Sequence, residues 1–274
     1  MSEQTERYDR MAEGYARWWA PVLAPAVGRL LDRTAPSLGS DTTRVVDIGT
    51  GTGQLAFAAL ARWPDLSIVG VDASAGMRAM ADRLADAALG TGRDRFSSEV
   101  AFADALPFGD GTFDLAISSF VFQLVPNRAR ALREARRVVK PGGRLAYVSW
   151  LEDRRVFLPD VIFDEVLDSL DFDDREPDDR PGDIPSVSRA AGELRRAGFA
   201  DVSADEETLE HRFTVEGYIG FLSEFDAESL FDELEPDERT QVLATMRDRL
   251  SRLTEDEMTM RFPIVFASGR RSGR

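Results

Sequence analysis

The residues best suited to chemistry in this 274-residue chain are three carboxylates that follow short apolar runs, and a set of alternating glycines. Val45-Val46-Asp47-Ile48 leads into Gly49-Thr50-Gly51-Thr52-Gly53. Ser67-Ile-Val-Gly-Val71 leads into Asp72-Ala73, and Val100-Ala-Phe-Ala103 leads into Asp104-Ala105-Leu106. Apolar, β-branched runs of this length read as buried strands, so each carboxylate stands at a strand end. Glycines without a Cβ bring backbone N–H groups close to a ligand, which suits the first loop to a nucleotide-like cofactor. Gly51-Thr-Gly53-Gln-Leu-Ala56 also satisfies the dinucleotide pattern G-x-G-x-x-A, with Asp72 as the residue for a ribose diol. Asp47 argues against that option, because a carboxylate just before the glycines repels a pyrophosphate at close range. A cationic nucleoside carrying an ammonium group tolerates it.

The elements that must position these groups follow in βα order. Gln54-Leu-Ala-Phe-Ala-Ala-Leu-Ala reads as a helix, Trp63-Pro64-Asp65 breaks it, and the strand ending at Asp72 completes a βαβ unit. Ser74 is placed to cap the next helix, which carries Met77 one turn in. Phe113 to Ser119 is a fourth strand, with Phe120-Val-Phe122-Gln123 beyond its carboxyl end, the edge where ligands bind in open α/β sheets. Asn127 caps an amphipathic helix bearing Ala131, Leu132, Ala135, Val138 and Val139. Lys140-Pro-Gly-Gly then turns the chain into a fifth strand, Arg144 to Trp150, whose last residue reaches the same edge.

Taken together, Val45 to Gly53 with Asp47 in place, Asp104-Ala-Leu-Pro-Phe108 and the Lys140-Pro-Gly-Gly turn resemble the class I S-adenosylmethionine (SAM) dependent methyltransferases of the small-molecule type. The resemblance implies an α/β fold: a Rossmann-like seven-stranded sheet, mostly parallel with an antiparallel last strand, helices on both faces, and a helical lid. It implies SAM as cofactor and S-adenosylhomocysteine (SAH) as product, held by Asp47, Gly49, Thr50, Gly51 and Gly53, by Asp72, Ala73 and Met77 around ribose and adenine, and by Asp104, Ala105 and Leu106 around the adenine amine and ring nitrogen. Ser119, Phe120 and Gln123 border cofactor and acceptor, and Tyr8 or Tyr15 in Tyr8-Asp-x-x-Ala-x-x-Tyr15 closes over SAM. Trp19, Phe122 and Trp150 are candidates to line the acceptor pocket. Asn-Pro-Pro-Tyr, the amine-recognition signature of nucleic-acid and glutamine N-methyltransferases, is replaced here by Ser-Ser-Phe-Val.

Composition narrows the function further. A formal charge of −15 opposes binding to nucleic acid, which draws its affinity from Lys and Arg on phosphates. The absence of cysteine excludes disulfides, thiolate metal sites and thiol nucleophiles. With no apolar run of transmembrane length and no signal-like N-terminus, the expectation is a cytoplasmic protein without membrane or metal, monomeric or homodimeric. The only histidine, His211, is a candidate general base beside Gln123 and Tyr15.

The expected division is a helical cover over 1–40, a cofactor core over 41–150, and lid insertions with completion of the sheet over 151–274. In the last part, helices are expected over Phe157 to Leu170, from a cap at Ser188, over Thr214 to Glu224 and over Pro236 to Leu253. Ala200 to Ala204 returns to strand, and Met258 to Phe266 alternates as the last one. The acidic stretch 171–183 reads as a solvated loop or lid, without the spacing of a calcium loop. The expected reaction is direct methyl transfer to O, N or C of a small, partly apolar metabolite, with polyketide, quinone and amino-sugar intermediates all open. The alternatives are a cyclase-like enzyme of the same fold that does not transfer methyl, and an NAD-dependent oxidoreductase.

Overall fold

Strand β1 (Arg44–Ile48) is buried along all but its first residue, Asp47 included, as a strand covered on both faces must be. In the computed structural model, which describes residues 3–38, 44–169 and 182–273, β1 lies inside a seven-stranded sheet, next to its central strand. The others are β2 (Ser67–Asp72), β3 (Phe96–Val100), β4 (Phe113–Ser119), β5 (Val139–Trp150), β6 (Phe199–Arg212) and β7 (Thr259–Arg271), in the order β3-β2-β1-β4-β5-β7-β6. Strands β1 to β5 pair in parallel, and β7 runs antiparallel between β5 and β6. The chain leaves β1 toward β2 on one side and later returns to β4 on the other. The crevice beyond the carboxyl ends of β1 and β4 is therefore the topological switch point where such sheets bind ligands.

The two faces of the sheet carry separate cores. Helices Ala20–Thr34, Gln54–Arg62 and Ala75–Leu89 pack on one face with the later helices Leu158–Asp168, Val215–Phe221 and Pro236–Leu250. Helices Arg128–Val138 and Val187–Arg196 pack on the other. Ser74, Asn127 and Thr214 cap their helices by accepting from Met77, Arg130 and Gly217 N–H.

Several boundaries differ from the sequence expectation. Ser186 rather than Ser188 caps the helix Val187–Arg196. Strand β6 extends to Arg212, well past Ala204, because β7 offers it a partner along almost its whole length. The third strand ends at Val100 instead of starting there. As an edge strand it buries one face only, and the apolar Val100 and Phe102 that suggested a buried strand are half exposed, at 51% and 49%. Lys140 to Gly143 lies within β5 as a register shift, Phe113 facing Val139 and Leu115 facing Arg144. Leu170 and most of the acidic stretch 171–183 lie outside the described residues. No helix among the described residues is long and apolar enough to cross a membrane.

Candidate active site

The loop after β1 is fixed by its own backbone. Gly49 and Thr50 N–H donate to Val71 O at 2.7 and 2.9 Å, and Gly53 N–H donates to Thr50 O at 2.8 Å. Gly51 N–H donates to Asp72 Oδ2 at 2.8 Å. Gly49, Gly51 and Gly53 all have positive φ, and a Cβ on Gly49 would lie 2.2 Å from Val121 Cγ2. The sequence pointed to these amides as ligand donors. The structure engages these four internally, which leaves a phosphate little to bind.

Asp47 is 1% exposed, and its Oδ2 accepts from Thr50 Oγ1 at 2.8 Å. Its Oδ1 is buried and closes no hydrogen bond of ordinary length and angle. Burial pushes this carboxyl up to about 7, against the Thr50 hydroxyl and the Ala56 N–H; the Asp72 charge adds to the rise. Asp72, half-buried, accepts Ser74 N–H on Oδ1 at 2.9 Å and Gly51 N–H on Oδ2. Burial raises its carboxyl as well, opposed by those two N–H groups and reinforced by Asp9. Each Asp72 oxygen keeps a lone pair for a ribose hydroxyl. An orphaned carboxylate oxygen next to a second carboxylate is a poor setting for an anion and a good one for an ammonium or sulfonium, so these residues fit SAM better than a pyrophosphate.

The N-terminal helices close over this loop. The Tyr15 ring would be 3.9 Å from a Cβ on Gly51, and burial followed by the charges of Tyr8, Asp72 and Asp47 raises its hydroxyl far above the ordinary range. Tyr8 meets Tyr15 edge-on at 6.4 Å, and Met77 packs among Ala12, Tyr8 and Tyr15. From Tyr15 an aromatic wall runs toward the end of β5. Phe225 lies edge-on to Tyr15 at 5.5 Å and stacks on Trp19 at 6.2 Å, Trp19 meets Phe221 at 5.0 Å and Trp150 at 6.1 Å, and Trp150 meets Phe120 at 4.5 Å. The N-terminal helices and the 215–226 segment interlock through glycines: a Cβ on Gly14 would strike Glu224 O, and one on Gly220 would lie 2.4 Å from Trp18. Trp18 Nε1 also donates to Glu224 Oε2 at 2.7 Å.

Other candidates fall elsewhere than their sequence position suggested. Asp104 lies in a turn past β3, where Ala105 N–H donates to Phe102 O and Leu106 N–H to Glu134 Oε2. Both amides proposed for the adenine ring nitrogen are thus engaged within the chain. Ser119 ends β4, and the residue after it, Phe120, has φ +56°. Gln123 is buried with both ends bonded, its Nε2 donating to Phe120 O and its Oε1 accepting from Ser149 Oγ, each at 2.6 Å. It braces the Phe120 turn instead of offering a base. Phe122 is buried on the opposite face of the sheet against Tyr147, away from the wall. His211 packs edge-on to Phe213 at 4.5 Å, with Phe213 and Phe221 between it and Trp19, and burial lowers its basicity. Phe221 and Phe225, absent from the sequence-derived site, reach the wall from about two hundred residues beyond Trp19; the helix expected over Thr214 to Glu224 carries Phe221, but its local pattern does not place it beside Trp19. No group of three or more His, Asp or Glu is arranged to hold a metal ion among the described residues.

Comparison with known proteins identifies the family and the fold. The methyltransferase-domain family matches residues 46–147. A ubiquinone/menaquinone biosynthesis C-methyltransferase UbiE of Methylobacterium nodulans is 34% identical over 217 residues, 71% of this chain and 77% of that protein. A malonyl-[acyl-carrier protein] O-methyltransferase of Geobacter sulfurreducens is 33% identical over 186 residues, 66% of this chain and 65% of that protein. Among solved structures, the YcgJ protein of Bacillus subtilis superposes with a TM-score of 0.58 at 19% identity, covering 89% of this chain and 97% of that one.

Proposed function

The chain belongs to the class I SAM-dependent methyltransferases, and from that premise we propose that it methylates a small, flat, partly apolar metabolite of the quinol type under the Trp19–Trp150 wall. When bound, SAM supplies an electrophilic methyl group on its sulfonium. In this reading Asp47 faces the ammonium end, Asp72 accepts the ribose hydroxyls, Met77 borders the adenine, and Tyr15 covers the nucleoside from the N-terminal side. Residues 1–40 act as cover, 41–150 as the cofactor core, and 151–274 as lid and sheet completion. The acceptor is presented at the other end of the crevice by Trp19, Phe120, Trp150, Phe221 and Phe225.

The observation that carries the reading is the continuity of Tyr15, Phe225, Trp19 and Trp150, which joins the loop beside Asp47 and Asp72 to an aromatic wall. Polar groups behind this wall are bonded to one another, as Gln123 and Ser149 are, so the wall shapes the acceptor more than it titrates it. An acceptor acidic enough to ionise by itself suits such a site, and the chain's contribution is alignment, which can lower a barrier by several kcal/mol. The quinone pathway in the name of the first relative is consistent with this acceptor class. The relatives' names divide between C- and O-methylation, so the accepting atom is to be found by product analysis.

The test is calorimetric binding of SAM and SAH to the wild type and to Asp72→Ala, then transfer of labelled methyl to a panel of quinols and phenols. Saturable binding lost in the variant, with label appearing in a quinol, is the expected result. Binding without transfer to any acceptor would favour the cyclase-like alternative, and absence of binding would remove the cofactor assignment.

A further inference from the structure

Asp9, on the cover helix Glu3–Arg10, reaches across to the loop that follows Asp72. Its Oδ1 accepts from Ser74 Oγ at 2.5 Å and from Gly76 N–H at 2.8 Å. Ser74 is buried and held from both sides, since its N–H donates to Asp72 Oδ1 at 2.9 Å while its Oγ also accepts from Met77 N–H at 2.9 Å. We propose that Asp9 is a positioning residue which, through Ser74, ties closure of the N-terminal cover to the placement of Asp72 at the nucleoside end of the site. The inference rests on the SAM-binding reading given above.

Three features make this contact more than a helix cap. The two helices approach so closely that a Cβ on Gly76 would lie 2.5 Å from Asp9 O, so the crossing is fixed in position and angle. The same cover segment carries Tyr15, whose ring lies against the Gly51 position, and Ala12 and Tyr8, which enclose Met77. The Asp9 charge is also felt at Asp72, whose carboxyl it helps to raise. Moving the cover away therefore withdraws one carboxylate from Ser74, changes the field on a second, and lifts Tyr15 from the loop in a single displacement. A ligand that engages Asp72 is in turn coupled to the closed cover, because the two sites share one buried serine.

Steady-state kinetics with SAM, SAH calorimetry and trypsin cleavage at the exposed Arg10 and Arg17, with and without SAH, test this on the full chain. For Asp9→Ala the expected result is a KM for SAM raised about tenfold with kcat changed less than about threefold, and loss of the protection that SAH gives to the cover. Asp9→Asn keeps an oxygen acceptor for Gly76 N–H and should restore most of both. Gly76→Ala, which pushes the Asp9 backbone away from the other side, should reproduce the Asp9→Ala pattern and serves if that variant does not fold. A mere cap would lower the melting temperature and leave KM and SAH protection at wild-type values, and that result overturns the proposal. Failure of the wild type to bind SAH would overturn the SAM reading itself, whereas wild-type binding with an unaffected Asp9→Ala removes only this coupling.

Discussion

The glycine loop after β1 and the aromatic wall beyond β5 are joined through the Tyr15 ring but are built on opposite terms. Around the loop, polar groups answer one another across short stretches of chain: Thr50 to Asp47, Gly51 to Asp72, Ser74 to Asp72. Around Trp19 the partners are Phe221, Phe225 and Trp150, gathered from up to two hundred residues away and joined through ring faces and edges. The loop is held by its own hydrogen bonds, in a backbone path that three left-handed glycines permit. Aromatic contacts are less directional and can be rearranged to fit a different acceptor. On the function proposed above, the difference would make cofactor recognition and acceptor choice separable in this chain.

The strongest way to break that separation is at Gly49. Alanine there must adopt φ +71° and would place its Cβ 2.2 Å from Val121 Cγ2. The left-handed conformation and the overpacking together are expected to destabilise the fold by about 3 kcal/mol. Because Val121 follows Phe120, the disturbance should reach both sides of the crevice, so SAH binding and turnover fall together. Thermal melts and calorimetry check this. A folded Gly49→Ala that binds SAH as the wild type does would show that the loop is more compliant than its contacts imply.

Trp19→Ala is the sharper probe. It removes the ring that Phe221, Phe225 and Trp150 share, yet touches none of the polar contacts around Asp47 and Asp72. Misplacing an acceptor by an ångström costs on the order of 10²-fold in turnover. The expectation is a loss of that order in kcat with SAH affinity within about threefold of wild type, and partial recovery in Trp19→Phe, which keeps a flat face. Equal losses of SAH binding and turnover would merge the two regions into one site.

The same division explains what could be read from the sequence. Strands β1, β2 and β4 lie between two packed faces and so appear as continuous apolar runs, with Asp47 and Asp72 visible at their ends. Edge strand β3 escapes that signal, which is why its expected position lies four residues too late and Asp104 falls in a turn instead of at a strand end. Phe120 and Phe122 look equivalent as alternate residues. The left-handed backbone at Phe120 breaks the period of two and sends the rings into different cores. On sequence alone Gln123 stands among the residues bordering cofactor and acceptor, because its partner, Ser149, lies at the end of another strand. The wall was least legible of all: a ring contact between Trp19 and Phe225 has no counterpart in local spacing.

A smaller effect, in pH, tests the cofactor side alone. Burial raises the Asp47 carboxyl to about 7 in the folded protein, whereas in the unfolded chain it titrates near its ordinary value of about 4. The stability this group contributes is therefore full below about pH 4 and is lost as pH rises through about 7. Ligand binding runs the other way, because a cation prefers the ionised carboxylate that the fold disfavours. Affinity for SAM is expected to fall about fivefold to tenfold between about pH 7.5 and about pH 6, an interval in which the ligand's own ammonium stays largely charged. Asp47→Asn should bind at the weaker level throughout and flatten most of the profile, leaving the share that belongs to Asp72, whose carboxyl is also raised by burial. Calorimetry across that interval checks both. A wild-type profile without this slope would move the cation away from Asp47 and toward the end of β4 at Ser119, leaving the buried Oδ1 of Asp47 to be matched by something other than the ligand's charge.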